Sequence, residues 1–159
     1  MTIALSHGGT TIYSSPSPSN EVLVGTREGV LTIARENSDA QWQVTHRAIP
    51  DKHISAMITE PESGLMFAGA FHGSVQMSAD GGKSWEPRGN GMTQDNVYSL
   101  AARHVDGQVR LFAGTEPAHL FVSDDLGVNW SEMPSLRSVP SVPKWNFPAP
   151  PHIGHVKHI

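Results

Sequence analysis

The sequence predicts an all-β protein built from three repeated units of four short antiparallel strands. The first observation is a period of tryptophans, because Trp42, Trp85 and Trp130 lie 43 and 45 residues apart. The second is that each tryptophan ends the same series of segments, namely an apolar run, a Gly-centred break, an alternating run and a polar turn. The third is composition, since 15 Gly and 12 Pro in 159 residues indicate many turns.

The predicted strands follow these segments in order. Another β-type run precedes each unit, which gives four strands per unit: "TTIYS" at 10–14, "ISAMITE" at 54–60 and "NVYSLAAR" at 96–103. The first unit has predicted strands at 10–14, 21–26, 29–35 and 41–47. The second has them at 54–60, 64–70, 73–78 and 84–88. The third has them at 96–104, 109–114, 118–123 and 129–133.

Four short antiparallel strands repeated every 40 to 50 residues or so are typical of a β-propeller blade, in which each sheet is buried against its neighbours around a channel. We therefore expect a partial β-propeller of three blades, followed by a proline-rich insertion and the first strand of a fourth blade. Their predicted bounds are 10–47, 54–88 and 96–133 for the blades, 134–151 for the insertion and 152–159 for the last strand. Three blades are too few to close a ring, so we expect either part of a longer propeller or self-association through the open terminal blades.

Composition and charge exclude several classes of partner. The net charge is −4 and no run of like charges occurs, which argues against a nucleic acid or an anionic membrane surface as partner. No segment approaches the roughly 20 apolar residues of a membrane span, and the first residues lack the features of a signal peptide. The absence of cysteine fits a cytoplasmic location, and a secreted domain without cysteine is the open alternative. No motif indicates a cofactor.

Two octapeptides carry a resemblance to a known family. The stretches "SADGGKSW" and "SDDLGVNW" both match the pattern S/T-x-D-x-G-x-x-W, and the sequence resembles the BNR or Asp-box repeat propellers, a superfamily that includes sialidases, sortilin-type receptor domains and photosystem assembly factors. The matching residues are Ser78, Asp80, Gly82 and Trp85 in the first box and Ser123, Asp125, Gly127 and Trp130 in the second. The first repeat has drifted to "RENSDAQW", with Asn37 where aspartate would be.

The boxes are expected to be structural. A turn carboxylate accepts backbone N–H groups, the glycine adopts a positive φ, and the tryptophan fills space between blades. In the family these boxes lie on the side of the propeller away from the ligand site. The resemblance therefore implies that ligand chemistry belongs to the opposite face.

Candidate ligand residues come from aligning the repeats at that opposite face. If the first strand of each blade is innermost, His53, Asn96 and His155 occupy equivalent positions around the channel mouth. The loops between second and third strands add six further candidates, which are Arg27, Glu28, Phe71, His72, Glu116 and His119. The open alternative is that all of these are solvated loop ends around a wet channel.

The third repeat departs from the others by an insertion. His155 follows Trp130 by 25 residues, whereas the corresponding interval in the other repeats is 11. The extra segment contains six prolines and two aromatic residues, Trp145 and Phe147. Such a stiff loop could be a ligand lid or a sugar-stacking platform, or its aromatic residues could staple the loop onto the blade.

A metal site is not predicted. His152, His155 and His158 are three residues apart, and on a strand such neighbours alternate between faces, so their side chains do not converge. A helix would align them, but Pro150, Pro151 and Gly154 argue against one. The alternative that His53 and His155 meet across the channel stays open.

Sialidase chemistry is only partly represented. Family enzymes use three arginines, a tyrosine paired with a glutamate, and an aspartate, whereas this chain offers "RAIP" at 47–50 and two tyrosines, Tyr13 and Tyr98. We therefore predict a module that binds an unknown small ligand, glycan or protein at the channel mouth. The alternatives are a sialidase-like exo-glycoside hydrolase, with Glu28 and Glu116 as a possible carboxylate pair, and a structural assembly factor.

Overall fold

The structure is a computed structural model that describes residues 4–5 and 19–159. It confirms the all-β class, because the described residues form three four-stranded sheets and contain two short 3-10 helices but no α-helix.

Each sheet uses strands that are consecutive along the chain. The first sheet contains β1 (Ala4–Leu5), β2 (Glu21–Thr26), β3 (Gly29–Ala34) and β4 (Gln43–Ala48). The second contains β5 (His53–Thr59), β6 (Met66–Phe71), β7 (Ser74–Ser78) and β8 (Glu86–Pro87). The third contains β9 (Val97–Val105), β10 (Gln108–Thr115), β11 (Leu120–Ser123) and β12 (Ser131–Glu132).

The first sheet differs from the expectation of a purely antiparallel unit. Strand β1 pairs in parallel with β2, with Ala4 opposite Leu23. A parallel pair needs a connection of about a dozen residues or more, and the segment between Leu5 and Glu21 is long enough. The predicted strand at 10–14 lies outside the described residues.

The predicted strand at 152–159 is wrong. These residues do not form a paired strand, although the amide of Val156 donates a hydrogen bond to the carbonyl of Thr115 at 3.1 Å. Pro150 and Pro151 immediately precede the segment and cannot donate backbone hydrogen bonds, which limits how far a ladder could extend. The insertion before it contains the 3-10 helices Pro134–Ser138 and Val142–Lys144, each with proline in its first turn.

The core lies between the sheets in two clusters. The first joins the first and second sheets through residues such as Leu23, Ile54 and Met66, and Trp85 packs against it. The second joins the second and third sheets, and Trp130, which is 4% exposed, belongs to it. The repeated tryptophan of a sheet therefore packs toward the preceding sheet.

A close contact at a glycine of the second strand recurs three times along the chain, twice between neighbouring sheets and once between the third sheet and the segment that follows the insertion. A methyl group placed on Gly25 would lie 2.8 Å from Ile54 Cγ2, one on Gly69 2.6 Å from Val97 Cγ1, and one on Gly114 2.6 Å from Val156 Cβ. Serine hydroxyls reinforce two of these contacts, since Ser55 donates to the carbonyl of Val97 and Ser99 to that of Val156. The glycines thus allow each second strand to approach the next repeat closely.

Candidate functional site

One end of the sheets collects most of the predicted ligand residues. We call it the upper edge: β5 and β9 begin there, and β6 and β10 end there. Loops of neighbouring sheets are hydrogen-bonded at this edge, since Gly29 N–H donates to Lys52 O at 2.7 Å and Ser74 N–H donates to Asp95 O at 2.9 Å. The upper edge is therefore a connected surface.

Five rings form a continuous row along the upper edge, which we call the ring row. His53 stacks on Phe71 with centroids 5.0 Å apart, and Phe71 meets Tyr98 edge-on at 5.6 Å. Tyr98 stacks on His155 at 3.9 Å, and His155 contacts Phe147 of the insertion at 4.8 Å. His53 and His155 thus belong to one surface, although two other rings separate them.

A cavity of about 330 Å³ opens beside the first part of the ring row. We call it the upper cavity, and its lining includes Gly25, Arg27, His53, Ser55, Phe71 and Tyr98. None of its lining residues is acidic, and Arg27 makes no ion pair with any described residue. The cavity therefore offers a guanidinium, an imidazole and aromatic ring faces to a ligand.

His155 lies in the middle of the upper edge and is almost completely covered. Its side chain is 4% exposed, and Nδ1 lies 3.4 Å from Oε2 of Glu116, whose side chain is 14% exposed. The geometry does not make this contact a hydrogen bond, so Nδ1 is buried without a hydrogen-bond partner in the described chain. Glu116, predicted in a loop, thus lies behind the ring row.

Asn96 lies at the position predicted from the repeat, but its oxygen atoms already accept hydrogen bonds from the protein backbone. Its Oδ1 accepts the backbone N–H of His72 at 2.9 Å, and its carbonyl accepts the N–H of Glu116 at 2.9 Å. His72 itself points outward, with its side chain 81% exposed and Nδ1 3.8 Å from Asp95 Oδ2. Asn96 therefore joins the second and third sheets, and neither residue lines the upper cavity.

His119 is held in a short polar chain beside the third sheet. Nη1 of Arg137 lies 2.9 Å from Nε2 of His119, and Nδ1 of His119 lies 2.8 Å from Oε1 of Glu132. Because arginine only donates, Nε2 must accept and Nδ1 must carry the proton that is donated to Glu132. His119 therefore anchors the insertion instead of facing the upper cavity. Glu28 is exposed and does not line that cavity.

Trp145 is half-buried within the insertion. Its indole N–H donates to Ser141 Oγ at 3.1 Å. Trp145 also lies close to Gly154, since a methyl group on Gly154 would lie 3.1 Å from Trp145 Cβ and 3.2 Å from its carbonyl carbon. Phe147 joins the ring row through His155. The two aromatic residues of the insertion are thus held in place by the loop and by the residues that follow it.

The two turns with the repeated octapeptides lie at the opposite, lower edge. Asp80 accepts hydrogen bonds from the Ser84 hydroxyl at 2.6 Å, the Ser84 amide at 2.9 Å, the Ser78 hydroxyl at 2.8 Å and the Lys83 amide at 3.0 Å. These bonds, with the Ser84 hydroxyl first, hold the pKa of Asp80 far below its ordinary value. The carboxylate organises the turn.

The second turn repeats this geometry. Asp125 accepts the Ser123 hydroxyl at 2.8 Å, the Asn129 amide at 2.8 Å and the Asn129 side-chain N–H at 2.8 Å. Partial burial raises the pKa of Asp125, but these hydrogen bonds outweigh that effect and leave the pKa lowered. In the first repeat, Asn37 Oδ1 accepts the amides of Asp39 and Ala40.

Replacing Asp80 with asparagine is expected to lower the melting temperature at pH 7. Because the folded pKa is lowered, the carboxylate stabilises the fold fully above its unfolded pKa near 3.8, and this contribution is lost as the pH falls further. The difference in melting temperature between the wild type and Asp80→Asn should therefore become smaller below about pH 4. Thermal melts from pH 2 to 8 measure this, with Asp106→Asn as a control for charge removal. A difference independent of pH would contradict the role of the ionised carboxylate.

Two polar residues with structural roles, Tyr98 and Glu60, were not among the candidates predicted from the sequence. Tyr98 is the central member of the ring row, whereas from the sequence it was considered only as one of two tyrosines. Glu60 is fully buried at the lower edge, where its carboxylate accepts the Ser63 hydroxyl at 2.6 Å and lies 3.4 Å from His104 Nε2. Burial raises the pKa of Glu60, but hydrogen bonds from Ser63, Glu62 and His104 leave the pKa lowered.

Neither a metal-binding cluster nor a membrane-spanning helix is found in residues 4–5 and 19–159. No group of three or more His, Asp or Glu side chains there could hold a metal ion. In the same residues, no helix has the length and apolar character required to cross a bilayer.

The fold and the site together define an all-β protein of repeated four-stranded sheets with a ring-lined cavity at one edge. No family model and no curated protein matches the sequence. Among solved structures, the chain is similar to the crystal structure of an ancestral GH74 enzyme, with a TM-score of 0.54 and 20% identity over 75% of this chain. The chain spans 17% of that enzyme's length. The likeness supports a propeller-like fold.

Proposed function

We propose that the chain is a segment of an Asp-box β-propeller that binds a ligand through its upper edge. Support for the architecture comes from three consecutive four-stranded sheets, from the recurring glycine contact between them and from the likeness to a GH74 enzyme. Support for the Asp-box assignment comes from the matching hydrogen bonds of Asp80 and Asp125. Self-association through outer faces belongs to the same proposal, since Trp42 remains 43% exposed.

The observation that carries the binding function is the upper cavity with its ring row. A ligand that has an apolar ring face and polar substituents would place the ring against Phe71 or Tyr98. Its oxygen atoms would accept hydrogen bonds from Arg27 and His53. Glycans combine these two properties, so a glycan is the ligand that we test first.

An array of immobilised glycans, followed by calorimetric titration with any captured glycan, tests this function. We expect Arg27→Ala to weaken binding by about 10-fold or more, since a hydrogen bond to a charged group contributes about 1.5–3 kcal/mol. We expect His53→Ala to weaken binding by about threefold or more, since a typical hydrogen bond contributes about 0.5–1.5 kcal/mol. Arg47→Ala is the matched control, because Arg47 is exposed on β4 and does not line the cavity. Absence of any captured glycan, or equal loss with Arg47→Ala, would contradict the proposal.

A glycoside hydrolase is the second candidate function, and the likeness to the GH74 enzyme favours it. Such chemistry usually requires two carboxylates on either side of the scissile bond. Of the predicted pair, Glu116 lies behind His155 and Glu28 is exposed, and neither lines the upper cavity. Turnover of chromogenic glycosides that is lost in Glu116→Gln would favour hydrolysis over binding alone.

A further inference from the structure

A second cavity, of about 620 Å³, lies between the proline-rich insertion and the residues that end the chain. We call it the insertion cavity. Its volume is within the range of about 300–1,000 Å³ that is usual for small-molecule sites. The side chains that matter for its chemistry are Lys144, Trp145, Phe147, His155, Lys157 and His158.

The aromatic side chains of the insertion cavity are held in place before any ligand binds. The indole of Trp145 donates to Ser141 Oγ, and the backbone amide of Trp145 donates to Val142 O at 3.0 Å. The carbonyl of Phe147 lies 3.0 Å from His152 Nδ1, and the Phe147 ring rests against His155. Rings fixed in this way can receive a flat apolar face without first losing conformational freedom.

The charged groups of the insertion cavity all have the same sign. Lys144 and Lys157 line it, and none of its lining residues is acidic. Neither lysine forms an ion pair with any residue of the described chain. In a chain of net charge −4, this local excess of positive charge would attract a small anion.

His155 supplies an independent observation. Its side chain lines the insertion cavity, is 4% exposed, and keeps Nδ1 without a hydrogen-bond partner. Buried polar groups in native proteins nearly always have such partners. Nδ1 faces Oε2 of Glu116 at 3.4 Å without a hydrogen bond, and the imidazole ring is fixed between Tyr98 and Phe147, so His155 forms a rigid wall of the cavity.

We infer that the insertion cavity binds a small anion with an apolar ring face. The ring packs against Trp145 and Phe147, and the carboxylate, sulfate or phosphate group pairs with Lys144 and Lys157. This site is separate from the upper cavity of the proposed function, because the two have no lining residue in common. The negative group sets the specificity, and the ring sets the orientation.

A matched pair of probes tests the inference on the whole chain. Phenyl β-glucuronide and phenyl β-glucoside have the same rings and differ in one carboxylate. The readout is the indole N–H signal of Trp145 in spectra of ¹⁵N-labelled protein, where four tryptophans give few signals to assign. We expect a saturable shift with the glucuronide and at least about tenfold weaker binding of the glucoside.

Charge variants supply the control. Lys144→Gln and Lys157→Gln should each weaken glucuronide binding by about tenfold, whereas Lys83→Gln should not, since Lys83 is exposed in the first Asp-box turn at the lower edge. Methyl β-glucuronide and benzoate then show whether a sugar ring or an aromatic ring is preferred, and preference for either supports the inference. Equal binding of the glucoside, equal loss with Lys83→Gln, or no shift of the Trp145 signal would overturn it. Loss of glycan binding in Arg27→Ala concerns the upper cavity and leaves this result unaffected.

Discussion

Replacing Trp130 with alanine is expected to lower the free energy of unfolding by about 3–5 kcal/mol, the range found for buried tryptophan or phenylalanine truncations. The indole is 4% exposed, lies in the core between the second and third sheets, and donates its N–H to the carbonyl of Arg88 at 2.7 Å. Truncation would leave both a cavity and an unpaired carbonyl.

The matched control is Trp42→Ala at the corresponding place in the first repeat. Trp42 is 43% exposed and lies beneath the guanidinium of Arg35 at 4.6 Å, so its loss should lower the free energy of unfolding by about 1 kcal/mol or less. Urea unfolding, followed by circular dichroism, measures both variants. Similar losses for Trp42 and Trp130 would contradict the conclusion that the tryptophan acts through the preceding sheet.

Replacing Gly82 with alanine is expected to lower the free energy of unfolding by about 2–4 kcal/mol. Gly82 has a φ of +90°, and an added methyl group would overlap with Cδ2 of Leu23 in the first sheet. Both backbone strain and overpacking therefore oppose the substitution.

The neighbouring Gly81 separates these two effects. Gly81 has a φ of +76°, but a methyl group there would meet nothing within 4 Å. Gly81→Ala should therefore show the backbone effect alone, about 1–2 kcal/mol. Denaturant titration of both variants gives the part of the loss in unfolding free energy that is due to the contact with the first sheet. Equal losses of unfolding free energy in the two variants would show that this contact does not contribute to stability.

Much of the fold could be predicted because the regular spacing of the tryptophans reflects a packing contact that is repeated from sheet to sheet. Trp85 and Trp130 each pack toward a preceding sheet, so their spacing reflects the size of the repeated unit. The parallel pairing of β1 could not be predicted, since a two-residue strand has no measurable alternation. The prediction of a final strand at 152–159 was wrong because alternation in the sequence does not show whether a neighbouring strand is available for pairing.

The site could be predicted only in part. Alignment of the repeats shows which residues lie at the same edge of the sheets, and Arg27, His53 and His155 do line cavities at the upper edge. It does not report the partners that a side chain meets, so Asn96 proved to join two sheets and His119 proved to anchor the insertion. These contacts cross between repeats or come from the insertion, which a repeat pattern does not describe.

The contact between sheets is directional. Gly69 of one sheet receives Val97 of the next, while Trp130 reaches back toward Arg88, so the two surfaces that meet are different. Copies of the chain that joined through the corresponding outer faces of the first and third sheets would associate head to tail, each turned by the same angle from the last. Such an arrangement gives a closed ring or an open filament, and a two-fold symmetric dimer would have to use other surfaces.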